Sequence, residues 1–142
     1  MRIWIRADAN EEIASGHLAR TLSIAGELRR LGARVRFVLA DEESRSWLQR
    51  LSGNPDEWEV SVLGLSYGKP DEELPLLAKL AEGERPDWIL VDSYAVSGDW
   101  FEKLRSTLTA SLQEKQGGEN PVPGLAFIDD ERAFDPAVDL VI

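Results

Sequence analysis

The stretch DWILVDSY, residues 87–94, decides the fold. Trp88-Ile89-Leu90-Val91 is nearly all apolar, as a strand buried on both faces should be. Polar residues follow it at once. Upstream, Asp71 to Ala81 reads as a helix that tolerates Pro75 near its first turn and is ended by Glu82-Gly83. Downstream, Asp99 to about Gln113 reads as another helix.

The same alternation continues outward. Ile3-Trp4-Ile5 predicts a first strand, ending in the polar Arg6-Ala7-Asp8-Ala9-Asn10. From Leu18 the apolar positions Leu22, Ala25 and Leu28 repeat at helical spacing until Leu31-Gly32, where glycine is the expected stop. Val35 and Phe37-Val38-Leu39 predict a second strand. Glu42 to Leu51 reads as a helix closed by Ser52-Gly53-Asn54-Pro55, and Trp58 to Leu63 alternates as a third strand. Lys115 to Pro123 is a loop, Leu125 to Ile128 a fifth strand, and Asp139 to Ile142 begins a sixth. Strands alternating with helices of this length predict an α/β fold: a Rossmann-like parallel sheet with helices on both faces.

The composition suits one domain, residues 1–142, with 43% apolar and 30% charged residues and five tryptophans for its core. A formal charge of −10 argues against nucleic acid and anionic membranes as partners. Cysteine is absent, which removes disulfides and thiolate chemistry and fits a reducing compartment. No stretch is apolar enough for a signal peptide or a membrane span, so the expected location is cytoplasmic. The chain stops inside an apolar strand pattern at Ile142, which predicts a cut domain.

In an open parallel sheet, ligands sit beyond the carboxyl ends of the strands. Asp8, Asp92-Ser93-Tyr94 and Asp129-Asp130 fall at such ends, and the loop after the first strand leads to His17, the one histidine. With Ser15 as N-cap, His17 stands in the first helical turn, where the macrodipole favours the neutral, proton-accepting ring. Asp8 or a later aspartate would hold the ring in its working tautomer. Gly16 allows close approach, and the free N–H groups of the turn suit an anionic oxygen. Arg20 lies one turn on, either as a ligand contact or as a solvated charge. Arg6 pairs with a rim carboxylate or touches ligand. The aspartates also serve as helix caps in the simpler reading. No ligand spacing specifies a metal, and Gly16 alone does not complete a dinucleotide fingerprint, so no cofactor is expected.

Arg6-Ala7-Asp8, then Ile13 with Gly16-His17 and Arg20, then Val91-Asp92-Ser93-Tyr94 with Trp100, then Ile128-Asp129-Asp130 occur in the order and spacing of a known family. In these segments the chain resembles the N-terminal half of the UDP-sugar hydrolases of pseudaminic acid biosynthesis and their relatives of spore-coat polysaccharide synthesis. The resemblance implies half of a B-type glycosyltransferase fold, with a second, nucleotide-binding domain expected in the complete protein and absent here. It implies a UDP-linked deoxy sugar as substrate, with His17 activating a water that attacks the anomeric carbon and expels UDP without a metal. Arg6, Asp8, Gly16, Arg20, Asp92, Tyr94, Asp129 and Asp130 become candidate substrate contacts. Ala14 stands where that family commonly has glycine, and Glu131-Arg132-Ala133-Phe134 departs from its pattern. The alternatives are a glycosyltransferase using the same base on an acceptor hydroxyl, and a non-catalytic Rossmann-like binding module. The lone domain is expected to be nearly inactive.

Overall fold

The computed structural model describes residues 1–11, 13, 15–114, 117–132 and 134–142. The expectations attached to Ala14 and Ala133, and the start of the 115–123 loop at residues 115–116, lie outside the described residues. Six parallel strands are described: β1 (Arg2–Ala7), β2 (Arg34–Leu39), β3 (Glu59–Val62), β4 (Trp88–Asp92), β5 (Gly124–Phe127) and β6 (Leu140–Val141). Their order in the sheet is β3-β2-β1-β4-β5-β6. The helices between them are α1 (Gly16–Arg30), α2 (Glu42–Ser52), α3 (Pro70–Glu84) and α4 (Gly98–Thr109). This is a Rossmann-like α/β fold. Its topological switch point lies between β1 and β4, where the chain reverses its direction of progress across the sheet.

Each face of the sheet has its own core. Trp4, Ile89, Val91 and Leu125 pack with the apolar sides of α3 and α4, including Leu77, Trp100, Phe101 and Leu104. Ile5, Phe37, Leu39 and Leu90 pack with Leu18 and Ala25 of α1 and Leu48 of α2. Successive strand residues point to opposite faces, so an all-apolar strand such as β4 serves both cores at once. The Trp100 ring is buried and its Nε1 donates to the Pro70 carbonyl at 2.9 Å, tying α4 to the start of α3.

The helix ends follow their local chemistry. Asp41 caps α2 by accepting from the Ser44 N–H at 2.8 Å, and Gly53 leaves that helix at φ 74°. α3 is longer than the sequence suggests, running through Gly83 to Glu84. The stop is set instead by Arg85, left-handed at φ 50°, immediately before Pro86. A residue before proline is excluded from helical backbone, and this outweighs the weak helix propensity of one glycine. α4 continues into a wider π turn at Ala110–Glu114, which keeps Ser111 and Leu112 buried. Among the described residues no helix is long and apolar enough to cross a membrane.

Candidate active site

The register of the sheet builds the site. Ala7, the last residue of β1, pairs with Asp92, the last of β4. The loop leaving β1 delivers His17 in the first turn of α1, directly over the switch point. His17 and Arg20 are three residues apart and therefore share one face of that helix. Both reach Asp92.

Asp92 is 1% exposed. Its Oδ1 accepts from His17 Nδ1 and, at 2.6 Å, from Arg20 Nη2, while its Oδ2 accepts from Arg20 Nε at 2.9 Å. Arg20 Nη1 completes a clamp on Asp130, at 2.8 and 2.7 Å from the two carboxylate oxygens. The hydrogen bond to Asp92, then that to Asp130, holds the Arg20 guanidinium above its ordinary pKa against the opposing effect of burial. Conversely, the Arg20 hydrogen bond holds the Asp130 carboxyl below its ordinary value.

The His17 ring is buried, and the Tyr94 ring meets it edge-on with centroids 4.4 Å apart. Tyr94 is itself exposed, and its hydroxyl lies 3.5 Å from Asp130 Oδ2. With Nδ1 donating to Asp92, the neutral ring carries its lone pair on Nε2. No described residue hydrogen-bonds to that nitrogen. His17 borders a cleft of about 170 Å³ whose walls include Ser93, Phe127, Phe134, Asp129, Asp130 and Glu131. The arrangement can accept a proton at Nε2 and support the resulting charge through Asp92.

The sequence candidates separate into two groups. His17, Arg20, Asp92, Tyr94 and Asp130 converge, and Asp129 borders the same cleft while capping its own turn through the Glu131 and Arg132 N–H groups. Arg6 and Asp8 are corrected from ligand contacts to structural ion pairs. Arg6 is 3% exposed and grips Glu73 at 2.9 and 2.5 Å, with Asp8 at 2.7 Å from its Nη2. Burial alone would lower the Arg6 pKa; the charge of Asp8 and the Glu73 hydrogen bond outweigh it and raise it. Asp8 also accepts from the Ala40 N–H at 2.8 Å, so Asp92 and not Asp8 holds the imidazole. Gly16 is exposed at the start of α1, with no described protein atom within 4 Å of a Cβ placed there. Ser15 holds the N-cap position without a side-chain capping bond, because its ψ of 6° departs from the extended backbone that aims a capping oxygen. The sequence reading missed Glu73 and the cleft's Phe127–Phe134 wall, and it placed Ser93 at the strand end without a role. Only Ser93 had a signal, sitting between Asp92 and Tyr94; the others depend on distant packing.

No family model and no curated protein matches the chain. Among solved structures it is similar to the oxidoreductase yciK from E. coli, at 15% identity and TM-score 0.44, over 90% of this chain and 57% of that one. It is also similar to the short chain dehydrogenase from Shigella flexneri, at 16% identity and TM-score 0.41, over 90% of this chain and 55% of that one. A further Shigella flexneri structure, complexed with NADP, gives 16% identity and TM-score 0.42 over 90% and 58% of the two chains. The chain thus spans less than two thirds of the length of these neighbours.

These findings correct the expectation drawn from the motifs. The matched structures are oxidoreductases, not UDP-sugar hydrolases, and neither the pseudaminic acid and spore-coat assignment nor its glycosyltransferase and binding-module alternatives gain support. The cleft itself gives a nucleoside diphosphate little to hold, since Arg20 is already engaged by two carboxylates and Asp129, Asp130 and Glu131 stand around it. Among the described residues, the β1 turn also departs from a dinucleotide site. That site needs glycines and free N–H groups facing the pyrophosphate. Here the N–H groups of Ala9, Glu11 and Ile13 already donate to Ser44 Oγ, Glu43 Oε1 and Asn10 Oδ1, at 3.2, 3.2 and 2.9 Å.

Proposed function

We propose that the chain carries an acid–base site in which His17 accepts a proton from a hydroxyl group of a small ligand without net negative charge. The proton passes from the ligand oxygen to Nε2, the oxygen keeps the electron pair, and the imidazolium is held by Asp92. One observation carries this reading: a buried histidine is fixed by a carboxylate on one nitrogen while the other has no partner among the described residues, at the edge of a cleft over the switch point. Asp129, Asp130 and Glu131 supply acceptors for other hydroxyl or ammonium groups of the ligand and repel anions. Tyr94 serves as the rim of the site. A reducing, cytoplasmic setting belongs to the same reading, supported by a sequence without cysteine.

Proton removal from a hydroxyl is also part of alcohol oxidation, the class of chemistry performed by oxidoreductases such as the neighbouring structures. The test therefore offers a panel of small uncharged polyols and amino alcohols, with and without NADP, and follows products by mass spectrometry. Turnover should fall roughly a hundredfold or more in His17→Gln. Unchanged turnover in that variant overturns the assignment. Dependence on NADP would instead overturn the misfit at the β1 turn.

A further inference from the structure

We propose that Arg20 is a positioning residue for the His17–Asp92 pair, acting through Asp92 without touching the ligand. The inference rests on the acid–base reading above and adds the element that sets the strength of the base. Two observations carry it. Arg20 engages both oxygens of Asp92, sharing Oδ1 with His17, so the carboxylate cannot rotate away from the ring. Its remaining amino group donates to both oxygens of Asp130, so each of the three guanidinium nitrogens is already engaged by a carboxylate. A planar fork is required for this. A lysine ammonium could neutralise one carboxylate but could not bridge two in fixed orientation.

The clamp has an electrical consequence. Alone beneath the ring, Asp92 would present its full negative charge to the imidazole. Paired with Arg20, the same carboxylate orients the ring while its charge is largely balanced. Among the described residues, the ionisable groups facing His17 are Arg20 on its own helix, Asp92 at the end of β4, Tyr94 in the following loop, and Asp129, Asp130 and Glu131 after β5. Of these, Arg20 is the cation.

His17 is the one histidine of the chain, so its ring nuclei give a single set of NMR signals to titrate in the whole protein. In Arg20→Gln the midpoint of protonation should rise by about one pH unit or more, a tenfold gain in proton affinity. Asp130→Asn, which loosens the clamp from its exposed side, should move it in the same direction by less. Guanidinium ion, added to Arg20→Ala below its denaturing range, should draw the midpoint back where sodium ion does not. An unmoved midpoint in a folded Arg20→Gln chain overturns the proposal, since a merely structural arginine would change stability alone. Loss of the fold in both Arg20→Gln and Asp130→Asn overturns it as well. A wild-type ring whose Nδ1 carries no proton when the ring is neutral would instead refute the acid–base reading.

Discussion

Asp92 serves two partners with two oxygens, and every property of the candidate site passes through it. Its burial makes each of those bonds stronger than it would be in water and makes a missing partner expensive. Asp130 stands at the wet end of the same chain, 41% exposed, and its carboxyl is held below the ordinary range by Arg20. The sign of the pH effect follows. A depressed carboxyl stabilises the fold fully above its unfolded value of about 4, and the contribution fades as pH falls through the lower folded value. Solvent screening limits it to about 0.5 kcal/mol. Asp130→Asn should be less stable than the wild type by that increment above about pH 4, the difference should vanish as the pH of an acid unfolding series falls below it, and high salt should shrink it. At this scale the sequence named most of the converging residues but not their pairing. Asp8 and Asp92 are equally plausible partners for His17 along the chain. Only the neighbouring of β1 and β4 chooses between them.

Elements carry the site because their ends are pinned. Thr21 Oγ1 donates to the His17 carbonyl at 2.8 Å, closing the first turn of α1 around the histidine. Arg6 performs the same service between β1 and α3, through Glu73 in the helix and Asp8 beyond the strand. Removing Arg6 leaves two buried carboxylates facing each other without a cation. Arg6→Met should therefore lower unfolding free energy by about 3–5 kcal/mol in urea titrations, although the arginine borders no part of the His17 cleft. The strands were legible because β1, β2, β4 and β5 are short apolar runs closed by polar residues. The end of α3 was not, because the reading weighed Gly83 above the Arg85-Pro86 step. The ion triad around Arg6 was legible only in part: the sequence offered a rim carboxylate, whereas Glu73 reaches in from 67 residues away.

Over the whole molecule, the order of strands turns scattered residues into a site. His17 and Asp92 are 75 residues apart, and Arg20 and Asp130 are 110 apart. An α/β pattern with three polar strand ends predicts that they gather on one rim, and the described sheet gathers them at its switch point. What periodicity could not supply was the depth of each side chain, which moved Arg6 and Asp8 behind the rim. Motif spacing proved a poorer guide to chemistry than to fold, since no family model and no curated protein supports the hydrolase assignment the motifs suggested.

The central claim is that His17, anchored through Nδ1, offers Nε2 as a proton acceptor. Long-range ¹H–¹⁵N spectra of the uniformly labelled chain, recorded above the ring's protonation midpoint, test it on one imidazole. The account predicts a protonated Nδ1 with a slowly exchanging proton and a bare Nε2, both lost in Asp92→Asn while the fold persists. A proton on Nε2 in the wild type, or a ring exchanging freely between both tautomers, would contradict it.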